Sequence, residues 1–124
     1  MILVDTSVWV DHLRTGNSML VDNLRSGNVL CHPLIIAELA LGTLKSRGQV
    51  LSLLEDLPKA PDVTVEEIRI LIESRKLYGR GIGVVDLHLL ASCLLAPGTT
   101  LWTGDRRLNA VAVEVGVPVE PASN

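Results

Sequence analysis

Four acidic residues occupy positions where a folded domain must neutralise or pair the charge of a carboxylate. Asp5 and Asp105 each follow closely on a short apolar run that is typical of a buried strand. Glu38 and Asp86 each interrupt an otherwise apolar helical segment. An unpaired carboxylate is costly to bury, so the four acids predict a bound hard cation. Mg²⁺ and Mn²⁺ prefer such oxygen ligands.

The reaction that suits this cluster is metal-assisted hydrolysis of a phosphodiester bond, in which a divalent cation activates water near neutral pH. Other chemistries lack their residues: the sequence has no Gly-x-x-x-x-Gly-Lys-Ser/Thr phosphate loop and no Gly-x-Ser-x-Gly nucleophile. His12, His32 and His88 are scattered without metal-ligand spacing. We expect these histidines to be core or surface residues rather than ligands.

Strands and helices must alternate to position the four acids. Apolar runs predict strands over 2–4, 29–32, 99–103 and 117–119. Helical spacing and end signals predict helices over 8–14, 18–25, 33–44, 50–57, 64–79, 84–95 and 106–115. Ser7 is predicted to cap the first helix, and Thr64 with Glu67 to form a capping box. The segment 58–62, with two prolines, is predicted to be a loop.

Strands separated by helices cannot pair as hairpins, so the economical arrangement is a parallel sheet with helices on both faces. The predicted fold is therefore a single α/β domain over residues 1–124. In an open parallel sheet, ligand sites lie outside the carboxyl ends of the strands. We expect Asp5 and Asp105 to project into one crevice at that edge.

Composition bounds the domain and its partners. A chain of 124 residues with 48 % hydrophobic and 20 % charged residues favours one globular domain and excludes general disorder. Aromatic residues make up 2 %, which argues against modules that stack bases on aromatic rings. There are 14 acidic and 11 basic residues, and without the four candidate ligands the balance is 10 against 11, so the excess acidity lies in the candidate site.

Basic residues near the predicted edge are candidates for binding a phosphate backbone. Arg14, Arg106 and Arg107 are the contacts we predict, with a solvated helix face as the alternative. Cys31 and Cys93 are expected to be buried and reduced. The first residues lack the basic region of a signal peptide, and no apolar run approaches the ~18 residues of a membrane span, so we expect a cytoplasmic protein without membrane association.

The order of these motifs resembles the PIN domain and, within it, the VapC toxins of bacterial and archaeal VapBC toxin–antitoxin pairs. The resemblance spans essentially the whole chain. The matching pieces are Ile2-Leu3-Val4-Asp5-Thr6-Ser7-Val8-Trp9, Pro33-Leu34-Ile35-Ile36-Ala37-Glu38-Leu39, Asp86 at the start of a Leu- and Ala-rich helix, and Leu101-Trp102-Thr103-Gly104-Asp105-Arg106-Arg107-Leu108.

The resemblance implies a three-layer fold with a central, mostly parallel sheet of four to five short strands. It implies a Mg²⁺- or Mn²⁺-dependent endoribonuclease that blocks translation when free, forms a homodimer and is inhibited by a cognate VapB-type antitoxin. The segments 20–29 and 39–54 are candidate surfaces for that antitoxin. By position, Asp5 and Asp86 correspond to the principal metal ligands, Glu38 and Asp105 complete the cluster, and Thr6, Ser7 and Thr103 are the supporting hydroxyls.

Other interpretations stay open. A phosphatase of the haloacid-dehalogenase type needs a second aspartate two residues after the first, where this chain has Ser7. A non-catalytic interaction domain on the same fold would bind no metal. Each acid also has a structural alternative. Asp5 is a typical helix cap or turn residue, and Asp105 after glycine is a typical turn residue. Asp86 is favourable at a helix N-terminus, and an ion pair with an arginine such as Arg106 is the alternative for Glu38. His32 departs from the resemblance, since a small hydroxyl residue is more usual there.

Overall fold

Four short strands alternate with seven helices along residues 1–120, the part of the chain that the computed structural model describes. Residues 121–124, which end the predicted domain, lie outside the described residues. The strands are β1 (Ile2–Val4), β2 (Val29–Leu30), β3 (Thr100–Trp102) and β4 (Val119–Glu120). The helices are α1 (Thr6–Thr15), α2 (Ser18–Arg25), α3 (Pro33–Leu41), α4 (Arg47–Asp56), α5 (Val65–Arg75), α6 (Val84–Leu95) and α7 (Arg106–Glu114).

The strands form one sheet in the order β2-β1-β3-β4, and each pairing is parallel. The predicted α/β class is confirmed, with four strands. Ile2, Leu3 and Val4 of the central strand β1 are all buried. Because successive side chains of a strand point to opposite faces, helices must cover both faces of the sheet. This is the predicted three-layer arrangement.

The carboxyl ends of β1 and β3 lie side by side. Val4 and Trp102, the last residues of these strands, are partners in the parallel register. The backbone N–H of Asp5 extends the pairing by donating to the carbonyl of Trp102 at 2.9 Å. Asp5 and Thr103, the next residues along each strand, are therefore neighbours, although 98 positions separate them in the chain.

The first helix begins earlier than predicted. Asp5, in extended conformation, is its N-cap, and its side chain accepts the N–H of Thr6. The prediction that Ser7 caps this helix is wrong, because the Ser7 hydroxyl instead accepts the N–H of Gly104 at 3.0 Å. The capping box of α5 is confirmed, but α5 ends at Arg75, before the predicted stop, since Lys76 adopts a left-handed conformation.

The core consists mainly of aliphatic side chains, with Trp9 and Trp102 buried among them. Both cysteines are buried and free, as predicted, and burial raises the pKa of the Cys93 thiol to about 12. No helix within residues 1–120 combines the length and hydropathy needed to cross a bilayer.

Candidate metal centre at the carboxyl edge of the sheet

Asp5 is the most constrained acid of the site. Its side chain is only 7 % exposed, and both of its carboxylate oxygens accept hydrogen bonds. Oδ1 accepts the N–H of Thr6 at 2.7 Å, and Oδ2 accepts the hydroxyl of Thr103 at 2.7 Å. The Ser7 hydroxyl lies further from Oδ2, at 3.5 Å. Hydrogen bonds from these fixed donors hold the carboxylate in one orientation at the end of β1.

Asp105 lies next to Asp5 because Thr103 joins them. The oxygen of the Thr103 hydroxyl accepts the N–H of Asp105 at 3.0 Å while its proton is donated to Asp5. Asp105 is also the N-cap of α7, since its Oδ1 accepts the N–H groups of Arg107 and Leu108. Asp105 is therefore a helix cap rather than only the turn residue considered as its alternative, and these bonds use Oδ1 and leave Oδ2 to face other groups.

Glu38 reaches the same edge from α3. Its side chain is exposed, and its Oε1 accepts the hydroxyl of Thr6 at 2.6 Å. Thr6 thus contacts two of the acids, Asp5 through its backbone and Glu38 through its side chain. Within residues 1–120 Glu38 forms no ion pair, so the alternative pairing with Arg106 is wrong.

Asp86 completes the group from the first turn of α6. Its Oδ2 accepts the N–H of Gly83 at 2.9 Å. The pKa of Asp86 is raised, first by partial burial and further by repulsion from the other three carboxylates, although the Gly83 N–H opposes the shift. Four acids that are distant in sequence therefore form one electrostatic unit.

The charge of this unit is not neutralised by neighbouring side chains. In the described part of the chain, no lysine, arginine or histidine nitrogen lies within 4.0 Å of any of the four carboxylates. Asp5, Asp86 and Asp105 stand at helix N-termini, where the helix dipole favours negative charge. Hard oxygen donors with a net negative charge fit a divalent cation such as Mg²⁺ or Mn²⁺. The chemistry of these donors therefore suits the predicted metal, whereas within residues 1–120 no three of the four acids bring ligand atoms within 4.8 Å of one another.

The predicted phosphate contacts lie on two helices, α1 and α7. Arg106 and Arg107 are exposed on the first turn of α7. The guanidinium of Arg107 passes close to Gly81, where an added Cβ would lie 2.6 Å from Nη1. Gly81 precedes the turn that leads into Asp86, so Arg107 lies near that acid's end of the site. Arg14, on α1, lines a groove that also contains Thr6 and Glu38.

This groove is a cavity of about 490 Å³ beside Glu38. Apolar side chains from α1 and α3 form its walls, and Arg14 and Lys45 supply positive charge. We define the groove by its lining residues, which are Thr6, Val10, Leu13, Arg14, Glu38, Leu39, Gly42, Thr43, Leu44 and Lys45.

A second polar cluster was not predicted from the sequence. His32 and His88 are buried, as expected of core histidines, and the sequence showed no motif that would pair them. Both contact Oδ1 of Asp62 at 3.1 Å. Burial lowers the pKa of His32 more than the nearby Asp62 raises it. The position of His32 directly before a helix-starting proline was the one sequence signal, because that position is a helix cap.

Comparison with known proteins agrees with this geometry. The family model of the PIN domain matches residues 2–114. The chain is 51 % identical over 117 residues to the protein named Ribonuclease VapC32 in two strains of Mycobacterium tuberculosis, CDC 1551 / Oshkosh and ATCC 25618 / H37Rv. The match covers 94 % of this chain and 94 % of each relative. The chain therefore belongs to the PIN domain family and, within it, to the VapC proteins.

Proposed function

We propose that this protein is a Mg²⁺- or Mn²⁺-dependent endoribonuclease that acts as the toxin of a toxin–antitoxin pair. The observation that carries this proposal is that four carboxylates from different elements lie at the carboxyl edge of the sheet, with no lysine, arginine or histidine nitrogen of the described residues within 4.0 Å of them. The similarity to relatives named ribonucleases supports RNA as the substrate. The toxin role follows from membership of the VapC proteins.

In this proposal Asp5 and Asp86 are the principal metal ligands, and Glu38 and Asp105 complete the cluster. When bound, the cation supplies a water activated near neutral pH and stabilises negative charge on the scissile phosphate. Asp5 is suited to this role, because its hydrogen bonds hold the carboxylate in place. Thr6, Ser7 and Thr103 orient the acids rather than react.

The arginines have a separate role in substrate binding. Arg14 on α1 and Arg106 and Arg107 on α7 would hold the phosphate backbone beside the acidic crevice, which by itself repels RNA. Such contacts position the strand without reading its sequence.

The test is cleavage of a labelled, structured RNA by purified wild-type and Asp5→Asn protein, with Mg²⁺ or Mn²⁺ and again with excess EDTA. We expect cleavage only by the wild type with metal. Asp22→Asn is a matched control, because Asp22 is exposed on α2, which leads into the amino-terminal end of β2 at the opposite edge of the sheet. Equal activity of Asp5→Asn would reveal a contaminant and refute the site. A wild type that binds no metal and cuts no RNA would favour the non-catalytic interaction domain.

We further propose that the groove beside Glu38 receives a segment of the cognate VapB-type antitoxin. Its apolar walls, with Leu13 38 % exposed, suit an amphipathic segment, and its end at Glu38 and Thr6 leads to the acids. Of the two segments predicted to bind the antitoxin, 20–29 does not expose its end residues, because Leu20 and Val29 are buried in the core. The segment 39–54 contributes Leu39 and the residues around Leu44 to the groove.

Binding and assembly can be measured directly. We expect Leu13→Asp to weaken the complex with the antitoxin encoded beside this gene, whereas Ile70→Asp, at a residue 66 % exposed on α5 and outside the groove, should not. Mass measurement in solution tests the predicted homodimer. If Leu13→Asp still bound the antitoxin with wild-type affinity, the antitoxin would bind outside this groove.

A further inference from the structure

The cluster of Asp62 with two buried histidines lies outside the acidic site. Asp62 belongs to the segment between α4 and α5, and its Oδ1 lies 3.1 Å from Nε2 of His32 and 3.1 Å from Nδ1 of His88. The N–H of Val63 donates to the same oxygen at 2.8 Å. The His32 side chain is 0 % exposed and that of His88 is 8 % exposed, so Asp62 is the acceptor on which both rings depend.

The helix cap of α3 fixes where the protons lie. Nδ1 of His32 accepts the N–H of Leu34 at 3.0 Å, so in the neutral ring the proton is on Nε2 and is donated to Asp62. The three ligand atoms of the cluster lie within 4.8 Å of one another, a spacing that would also suit a metal ion. The cap argues against a metal, because the single lone pair of neutral His32 faces Leu34.

The segment that carries Asp62 is firmly attached. Its residues 58–60 pair with the chain just after β2: Cys31 donates to the carbonyl of Pro58, and Ala60 donates to the carbonyl of Cys31, each at 2.9 Å. The ammonium group of Lys59 donates to three carbonyls at the end of α4. Asp62 is therefore held by backbone pairing on one side and the capped start of α5 on the other.

The two histidines belong to helices that carry site acids. His32 caps α3, which bears Glu38, and His88 lies on α6, two residues after Asp86. Helix α3 packs mainly on α1 and α4, whereas α6 packs mainly on α5 and β3. The hydrogen bonds through Asp62 therefore tie together two helices whose main packing partners differ.

We propose that Asp62 is a positioning residue that fixes α3 relative to α6 through His32 and His88, and thereby sets the affinity of the acidic site for its divalent cation. This inference rests on the proposed function of that site. Loss of the acceptor leaves two buried N–H donors unpaired, and the rings relieve this by moving. Movement of either ring shifts the helix that carries Glu38 or Asp86.

The experiment measures Mn²⁺ binding to the full chain by calorimetry or by loss of the free Mn²⁺ electron paramagnetic resonance signal. Asp62→Ala removes the acceptor, and we expect it to weaken binding by roughly tenfold, the scale of losing an outer-shell partner. Asp62→Asn retains a carbonyl oxygen that accepts both N–H groups, so binding should stay within about twofold of wild type. Asp56→Ala removes the same charge at an exposed residue of α4 and should bind normally.

Three results would overturn the proposal. Unchanged Mn²⁺ affinity in Asp62→Ala, with only a lower unfolding temperature, would mean that Asp62 merely stabilises the fold. A stoichiometric Zn²⁺ site that Asp62→Ala abolishes and Asp5→Asn retains would make the cluster a metal site. A wild type that binds no Mn²⁺ would overturn the proposed function as well. If Asp5→Asn abolishes Mn²⁺ binding while Asp62→Ala does not weaken it, only the positioning role fails.

Discussion

The hydroxyl of Thr103 lies 2.7 Å from Oδ2 of Asp5 and joins the ends of the two central strands. A hydroxyl has one proton, and because this one is donated to Asp5, the oxygen is left to accept the N–H of Asp105. One buried side chain therefore orients the carboxylate of Asp5 and the loop that carries Asp105. The pairing of β1 with β3 thus sets the geometry of half of the acidic site.

Thr103→Val tests this relationship. The substitution leaves Oδ2 of Asp5 and the N–H of Asp105 without this partner, so we expect the free energy of unfolding to fall by about 1–3 kcal/mol. RNA cleavage should fall roughly 10- to 100-fold, as for loss of a group that orients a metal ligand. Urea denaturation and initial cleavage rates measure the two effects. Thr103→Ser keeps the hydroxyl and should retain most activity, and wild-type activity in Thr103→Val would refute the orienting role.

Asp86→Asn should stabilise the protein when divalent cations are absent. Because the pKa of Asp86 is raised in the fold, the folded protein holds this proton at pH values where the unfolded chain has lost it. Its contribution to stability is thus present below the ordinary value of 3.8 and is lost as the pH rises through the raised pKa. Asn carries no charge to repel its neighbours.

The measurement is urea denaturation in EDTA across this pH range. At pH ~7, above both pKa values, we expect Asp86→Asn to have the higher midpoint, and the difference should shrink as the pH approaches the ordinary aspartate value. Adding Mn²⁺ should stabilise the wild type and not the variant. If the urea midpoint of Asp86→Asn in EDTA were lower than that of the wild type, repulsion among the carboxylates would not limit the stability of the protein.

The positions of Asp5 and Asp105 were predictable because a general rule applies to them. Parallel strands place their carboxyl ends at one edge, so acids directly after two such strands must meet there. Glu38 and Asp86 were recognisable as charges on apolar helices. The hydrogen bonds that link Asp5, Glu38 and Asp105 were less accessible, since Asp5 and Ser7 are both good helix caps and only the position of Gly104 decides between them.

The contacts of Asp62 with the two histidines could not be predicted from this sequence. It lies in a segment with two prolines and no periodicity, 30 residues from His32 and 26 residues from His88. Its position depends on pairing of the segment with the chain after β2, which the local sequence does not specify. Contacts of this kind depend on tertiary packing, whereas strand edges and helix faces follow from local pattern.

The stability of the protein should fall in mild acid because of His32. Burial lowers the pKa of this histidine in the fold, so the unfolded chain binds a proton more readily than the folded protein. Stability is therefore lost as the pH falls from the ordinary value of 6.5 toward the lower pKa of the folded state. Urea midpoints measured from pH ~8 to ~5 should decline through this window.

His32→Asn separates this effect from other titrations. Asn is a good helix cap that does not titrate in this range, so the variant should lose the part of the pH dependence that His32 supplies. Its absolute stability will be lower, because a buried ring is replaced by a smaller side chain. The comparison therefore uses the slope of stability against pH rather than its value. An unchanged slope would assign the acid sensitivity to another group.

Arg107→Gln should weaken RNA binding in a manner that depends on salt. If Arg107 contacts one phosphate, its loss should reduce the slope of log affinity against log salt concentration by roughly 0.7 for a single strand. Binding is best measured in the Asp5→Asn background, which should hold RNA without cutting it. Arg25→Gln is the control, because Arg25 is exposed at the end of α2, near the amino-terminal edge of the sheet.

Gly81→Ala tests whether the location of Arg107 matters as well as its charge. Gly81 has a φ of 77°, which strains any other residue, and an added Cβ would lie 2.6 Å from Nη1 of Arg107. The flexible arginine side chain must move away, so RNA affinity should fall although no charge is lost. The double variant Gly81→Ala, Arg107→Gln should bind no more weakly than Arg107→Gln alone. Additive losses would mean that Gly81 acts on RNA binding independently of Arg107.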